Sequence, residues 1–141
     1  MANTAADLDS LIRLRKWVVD ERQRELGALI QREDQLILYG RELEKQLIRE
    51  GEVAKSDPSS SFMFGPFAED HKKRRERLAI TLAAVRKEIE DARERLAAAF
   101  RERKTMEEVQ KTRAERERVE TNRREQVELD EIAATQYRLN G

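Results

Sequence analysis

Three places along this chain group residues of types that do chemistry. Glu107–Glu108 and Asp130–Glu131 are adjacent carboxylates, the type that general acid–base catalysis uses. His71 opens the run HKKRRER, His71 to Arg77, where an imidazole stands beside cations suited to phosphate. The rest of a catalytic inventory is missing from the sequence. It has a single histidine, no cysteine, no glycine-rich phosphate loop and no GxSxG elbow. The carboxylate pairs fall in helical sequence with nothing to wall a pocket, so they read as a solvated face. His71 reads as an exposed helix residue rather than a metal ligand, because no second ligand type clusters near it. The basic run is flanked by Glu69 and Asp70, contains Glu76 and leads into an apolar seam, so it reads as a solvated helix end. These readings predict no enzyme, no cofactor and no metal site.

The elements that carry these residues follow from composition. Charged residues make up 41% of the 141 and aromatics 5%, a profile of coiled coils rather than compact globules. Lys plus Arg (29) cancels Asp plus Glu (29), which argues against a nucleic-acid partner. The opening MANTAADLDS has neither the basic nor the apolar region of a secretory signal, and no run approaches the ~20 apolar residues of a membrane span. The expectation is a protein of a reducing compartment, without direct membrane insertion.

Helix 1 is expected over about 8–53, capped by Asp7, Asp9 or Ser10. At alternating spacings of four and three its seam reads Leu8, Ile12, Arg15, Val19, Arg22, Leu26, Leu29, Glu33, Leu36, Gly40, Leu43 and Leu47. From Ala54 to Pro66 the pattern stops in AKSDPSSSFMFGP, whose Asp57-Pro58, serines and Gly65-Pro66 predict a hinge over 54–66. Helix 2 is expected over about 67–138, with the seam Leu78, Leu82, Val85, Ile89, Ala92, Leu96, Ala99, Arg103 and Met106. The fold class is therefore all-α: two long helices in an antiparallel coiled-coil hairpin, the second longer than the first, forming one domain over 1–141.

Pairing outward from the hinge exhausts helix 1 opposite about Thr112, leaving about 25 residues of helix 2 as an overhang at 1.5 Å per residue. That overhang contains EEVQKTRAERERVETNRREQ, Glu107 to Gln126, in which 12 of 20 residues are charged and only Val109, Ala114 and Val119 are apolar. A segment without an intramolecular partner needs no apolar seam. Trp17 points away from the seam with Leu14, which leaves it either a contact residue or covered by the tail. Phe62, Met63, Phe64 and Phe67 gather at the other tip, to cap the hairpin end or to dock into a partner. Val127, Leu129, Ile132 and Tyr137 restore apolar character on the tail, suiting a partner or a second copy of the chain.

The stretches LDSLIRLRKWVVDERQRELG and REDQLILYGRELE, and RERK (Arg101 to Lys104) followed later by VELDEIAATQYR, resemble the FliJ family of flagellar export proteins. The resemblance implies a cytoplasmic component of the type III export apparatus, peripherally associated with its membrane-bound part. It implies a stalk-like coiled coil that inserts into the export ATPase ring, contacts the cytoplasmic part of the export gate, and acts as a general chaperone or escort with export chaperones as partners. Carried onto this chain, the ATPase end comprises Arg13, Arg15, Trp17, Arg113, Arg116, Leu129, Asp130 and Glu131, and the gate end Phe62, Phe64, Phe67 and His71. A monomer is expected for the chain alone. The alternative is a generic coiled-coil adaptor, or a homodimeric scaffold whose overhang pairs with itself.

Overall fold

The computed structural model describes residues 4–140, as two helices. Helix α1 spans Thr4–Ser56 (53 residues) and α2 spans Pro58–Asn140 (83 residues). The chain is all-α with the second helix the longer. α1 begins ahead of the expected caps: Thr4, Ala5 and Ala6 continue the helix, and Asp7 lies in its first turn, where a carboxylate favours the positive end of the helix dipole.

The expected hinge over 54–66 is not a loop. Only Asp57 separates the helices, and the residues that read as loop formers build a helix cap instead. The Asp57 carboxylate accepts from the Ser59 N–H at 3.1 Å and from the Ser59 and Ser60 hydroxyls at 2.7 and 2.9 Å. Pro58 occupies the first helical position, where its missing N–H costs no hydrogen bond and its fixed φ suits the helix. On the other side, the Asp57 N–H donates to the Val53 carbonyl at 3.0 Å, and the Ser56 hydroxyl donates to the same carbonyl at 3.1 Å. Gly65 and Pro66 lie inside α2. Pro66 leaves the Phe62 carbonyl without its donor four residues on, so packing must hold this turn.

The chain forms two compact units. Unit 2, Val18–Ala98, contains the turn and pairs the later part of α1 with the earlier part of α2. Its ion pairs Glu25–Arg95, Glu33–Arg86 and Glu44–Arg75 run in opposite directions along the two helices, which makes the pairing antiparallel. Val19, Leu43, Val85, Ile89 and Ala92 form its core, all at expected seam positions, with Val19 only 2% exposed. Unit 1, Met1–Trp17 with Ala99–Gly141, is antiparallel too: Arg15 meets Glu102 at 2.9 Å and Gln110 donates to Asp9 at 2.6 Å. Leu8, Ile12 and Ala99 are its buried apolar residues.

Arg15, Arg22 and Glu33 occupy seam positions yet are charged. Their stems lie along the seam while their tips turn out into ion pairs with Glu102, Glu25 and Arg86. A narrow core with charged edges of this kind holds the helical segments of each unit in register.

Candidate partner-binding surfaces

Extending the register of the Asp9–Gln110 contact sets Thr4, the first described residue of α1, opposite about residue 115, so no described residue of α1 faces the last 25 or so residues of α2. From Thr121 to Asn140 every residue is exposed. This helix is held by pairs within itself. Arg118 bonds Glu115, and Arg123 and Arg124 both meet Glu120. The arginine bonds hold the Glu115 and Glu120 carboxyls below their ordinary range and raise the Arg118 and Arg123 guanidiniums. Charge is also divided along its length. Residues 113–124 hold five arginines and three glutamates, whereas 125–131 hold four acids and no base. A uniformly basic stripe, as phosphate tracking needs, is absent from it.

Against this helix, the residues carried over for the ATPase end fall as follows. Arg13 is exposed, Arg15 is tied to Glu102, and Trp17 is 58% exposed, as is Leu14 one turn before it at 49%, so the tail does not cover it. Arg113 and Arg116 share an open groove of about 440 Å³ with Thr105, Glu108, Val109 and Thr112, where α1 is ending. Leu129, Asp130 and Glu131 are exposed on the tail, together with Ile132 and Leu139. Leu139 escaped the sequence reading, although its spacing of seven from Ile132 marks the same face.

The residues carried over for the gate end divide. Phe62 is 84% exposed. Phe64 is half-buried, its ring 3.7 Å from where a Cβ on Gly51 would stand, and it lies 6.3 Å from the Phe67 ring. His71 corrects the reading of an exposed helix residue: it is 4% exposed, with its ring 6.3 Å from Phe67 and its Nε2 2.8 Å from the Leu43 carbonyl. A carbonyl only accepts, so Nε2 carries the proton and donates. At the aromatic tip Phe64 and Phe67 are half-buried while Phe62 projects.

Two further features carry no signal in residue type alone. Arg103, at a seam position, lays its guanidinium 5.1 Å from the Phe100 ring centre, and its buried Nε, 3.7 Å from the Glu107 carboxylate, makes no hydrogen bond. Gly40 lets Leu78 approach to 3.0 Å from where its own Cβ would be. Among the described residues no group of three or more His, Cys, Asp or Glu could hold a metal ion, and no helix is long and apolar enough to cross a membrane.

A family model described as "Flagellar FliJ protein" matches residues 4–141. Comparison with curated proteins and with solved structures returned no match.

Proposed function

The chain belongs to the flagellar FliJ family, which makes it a component of the flagellar type III protein export apparatus, and from that premise we propose that it acts as a non-catalytic stalk between the export ATPase ring and the export gate. The observation that carries the reading is the unpaired part of α2, about 25 residues long, fully helical and charged on all sides. Exposed ion pairs contribute only ~0–1 kcal/mol each, so such a rod can sit in a ring, make many polar contacts and shift register without crossing a deep energy well. Its bipolar charge suits a ring whose lining alternates in sign, while Trp17, Leu129 and Ile132 supply apolar anchors.

In this reading Arg13, Arg15, Trp17, Arg113, Arg116, Leu129, Asp130 and Glu131 meet the ATPase. Phe62, projecting from the packed Phe64–Phe67 tip, meets the cytoplasmic part of the gate. His71 serves that end indirectly, by fixing α2 against Leu43. The chain works peripherally to the membrane, as a monomer, and assists export chaperones. Removal of residues 116–141 should abolish co-purification with the export ATPase, and Leu129→Lys with Ile132→Lys should weaken it roughly tenfold or more. Undiminished ATPase binding by the shortened chain would sink the assignment. A tight dimer by light scattering at micromolar concentration would favour a self-pairing scaffold instead.

A further inference from the structure

The part of α2 that no described residue of α1 faces has one weak place. Thr121 and Asn122 are both poor helix formers, and between Glu107 and Glu131 nowhere else do two such residues adjoin. Both are exposed, and neither side chain makes a hydrogen bond among the described residues. A helix that grows from a packed one bears no nucleation cost, so each added residue is held by its own propensity and by side-chain pairs one turn apart. At Thr121 and Asn122 propensity fails and no packing replaces it.

A single carboxylate spans this place. Glu120 receives Arg123 in a two-pronged contact, Oε1 from Nη2 at 2.8 Å and Oε2 from Nε at 3.2 Å, and the same Oε1 meets Arg124 Nε at 3.3 Å. These bonds run across Thr121 and Asn122 and tie the turn before them to the turn after. Glu115 and Arg118 form a pair of the same spacing, but the residues they span, Arg116 and Glu117, are good helix formers. The propensity deficit of two residues such as Thr and Asn and the gain from two such pairs are of the same order, so the pairs decide whether the helix is continuous. No Gly or Pro lies between Pro66 and Asn140, so the usual causes of a kink are absent from this part of α2.

We propose that Thr121–Asn122 is a bend point in the free end of α2, and that Glu120, by gripping Arg123 and Arg124, is the latch that keeps it straight. The two arginine side chains are 63% and 73% exposed, so salt, or the carboxylates of a partner, can draw them away from Glu120. Released, the end bends and turns the exposed Leu129, Ile132 and Leu139 in a new direction. The latch belongs to the chain itself and stands whether or not the free end meets an ATPase.

The chain has no cysteine, so spin labels can be placed through Lys111→Cys and Gln136→Cys alone, about 38 Å apart along a straight helix. At low salt the otherwise native chain should give one narrow distance distribution, and at about 1 M salt a broader and shorter one. Glu120→Gln should give the broad distribution at low salt, and should speed amide exchange over 123–140 about threefold. Adding Thr121→Ala and Asn122→Ala to Glu120→Gln should restore the narrow distribution, because good helix formers need no latch. Glu115→Gln should leave it narrow. A Glu120→Gln chain as narrow as the native one, a Glu115→Gln chain equally broad, no restoration by the two alanines, or a native chain already broad at low salt would each overturn the proposal.

Discussion

His71 and Asp57 show how much a single side chain decides here. The His71 ring bridges to a carbonyl 28 residues away and packs beside Phe67, so it pins the register of the two helices near their turn. Replacing it by Ala removes both bond and volume and should cost about 2 kcal/mol in urea unfolding, whereas Leu, which keeps the volume, should cost less. Asp57 holds the start of α2. Hydrogen bonds from Ser59, then Ser60, keep its carboxyl below the ordinary 3.8. A depressed carboxyl stabilises the fold above its unfolded value and loses that contribution as the pH falls through its folded value. The melting-temperature gap between the native chain and Asp57→Ala should therefore be constant at neutral pH and narrow once the pH drops below 3.8. The cap was written in the sequence as Asp-Pro-Ser-Ser, but the same letters also spell a loop. Only the backbone geometry separates the two.

Among the elements, α1 is held by packing more than by propensity, for it carries Gly27, Gly40 and Gly51 in its interior. Their backgrounds differ. A Cβ at Gly27 would meet nothing within 4 Å, whereas at Gly40 it would stand 3.0 Å from Leu78 Cδ2. Gly27→Ala should thus raise stability by about 1 kcal/mol. Gly40→Ala should return less of that gain, because Leu78 has to give way, and equilibrium unfolding of the two variants side by side would show it. In α2 the difference lies between its halves. The earlier half alternates apolar residues at four and three, while the later half breaks that rhythm and holds itself by arginine–glutamate pairs one turn apart. That loss of rhythm was legible as the end of pairing. The helical run through Gly65 and Pro66 was not, because a proline inside a helix depends on neighbours such as Phe64 and Phe67 to hold the turn.

For the chain as a whole, the buried residues and the residues proposed to meet partners are different sets. Leu43, 2% exposed in unit 2, should cost about 2–5 kcal/mol when cut to Ala. Ile132, 55% exposed on the unpaired end, should cost no more than about 0.5 kcal/mol. Removing 116–141 should likewise leave the urea midpoint where it was, since these residues lie beyond the first turn of α1. A large drop in that midpoint would mean that the unpaired end supports the fold and is not reserved for a partner. The family match places the chain in flagellar export as a whole.

The order of the residues alone determined the class of the molecule. Spacings of four and three, a shortage of apolar volume and an unequal supply of seam residues admit two helices of different length and little else, because a helix must bury whatever apolar stripe it has and cannot bury one that it lacks. Tertiary structure decided what needs two helices at once. The seating of His71 on Leu43, the room that Gly40 leaves for Leu78 and the one-residue turn at Asp57 each depend on atoms distant in sequence or on one of two backbone conformations that the same residues allow. Periodicity is a property of one helix, whereas a groove, a buried imidazole and a tight reversal are properties of a pair.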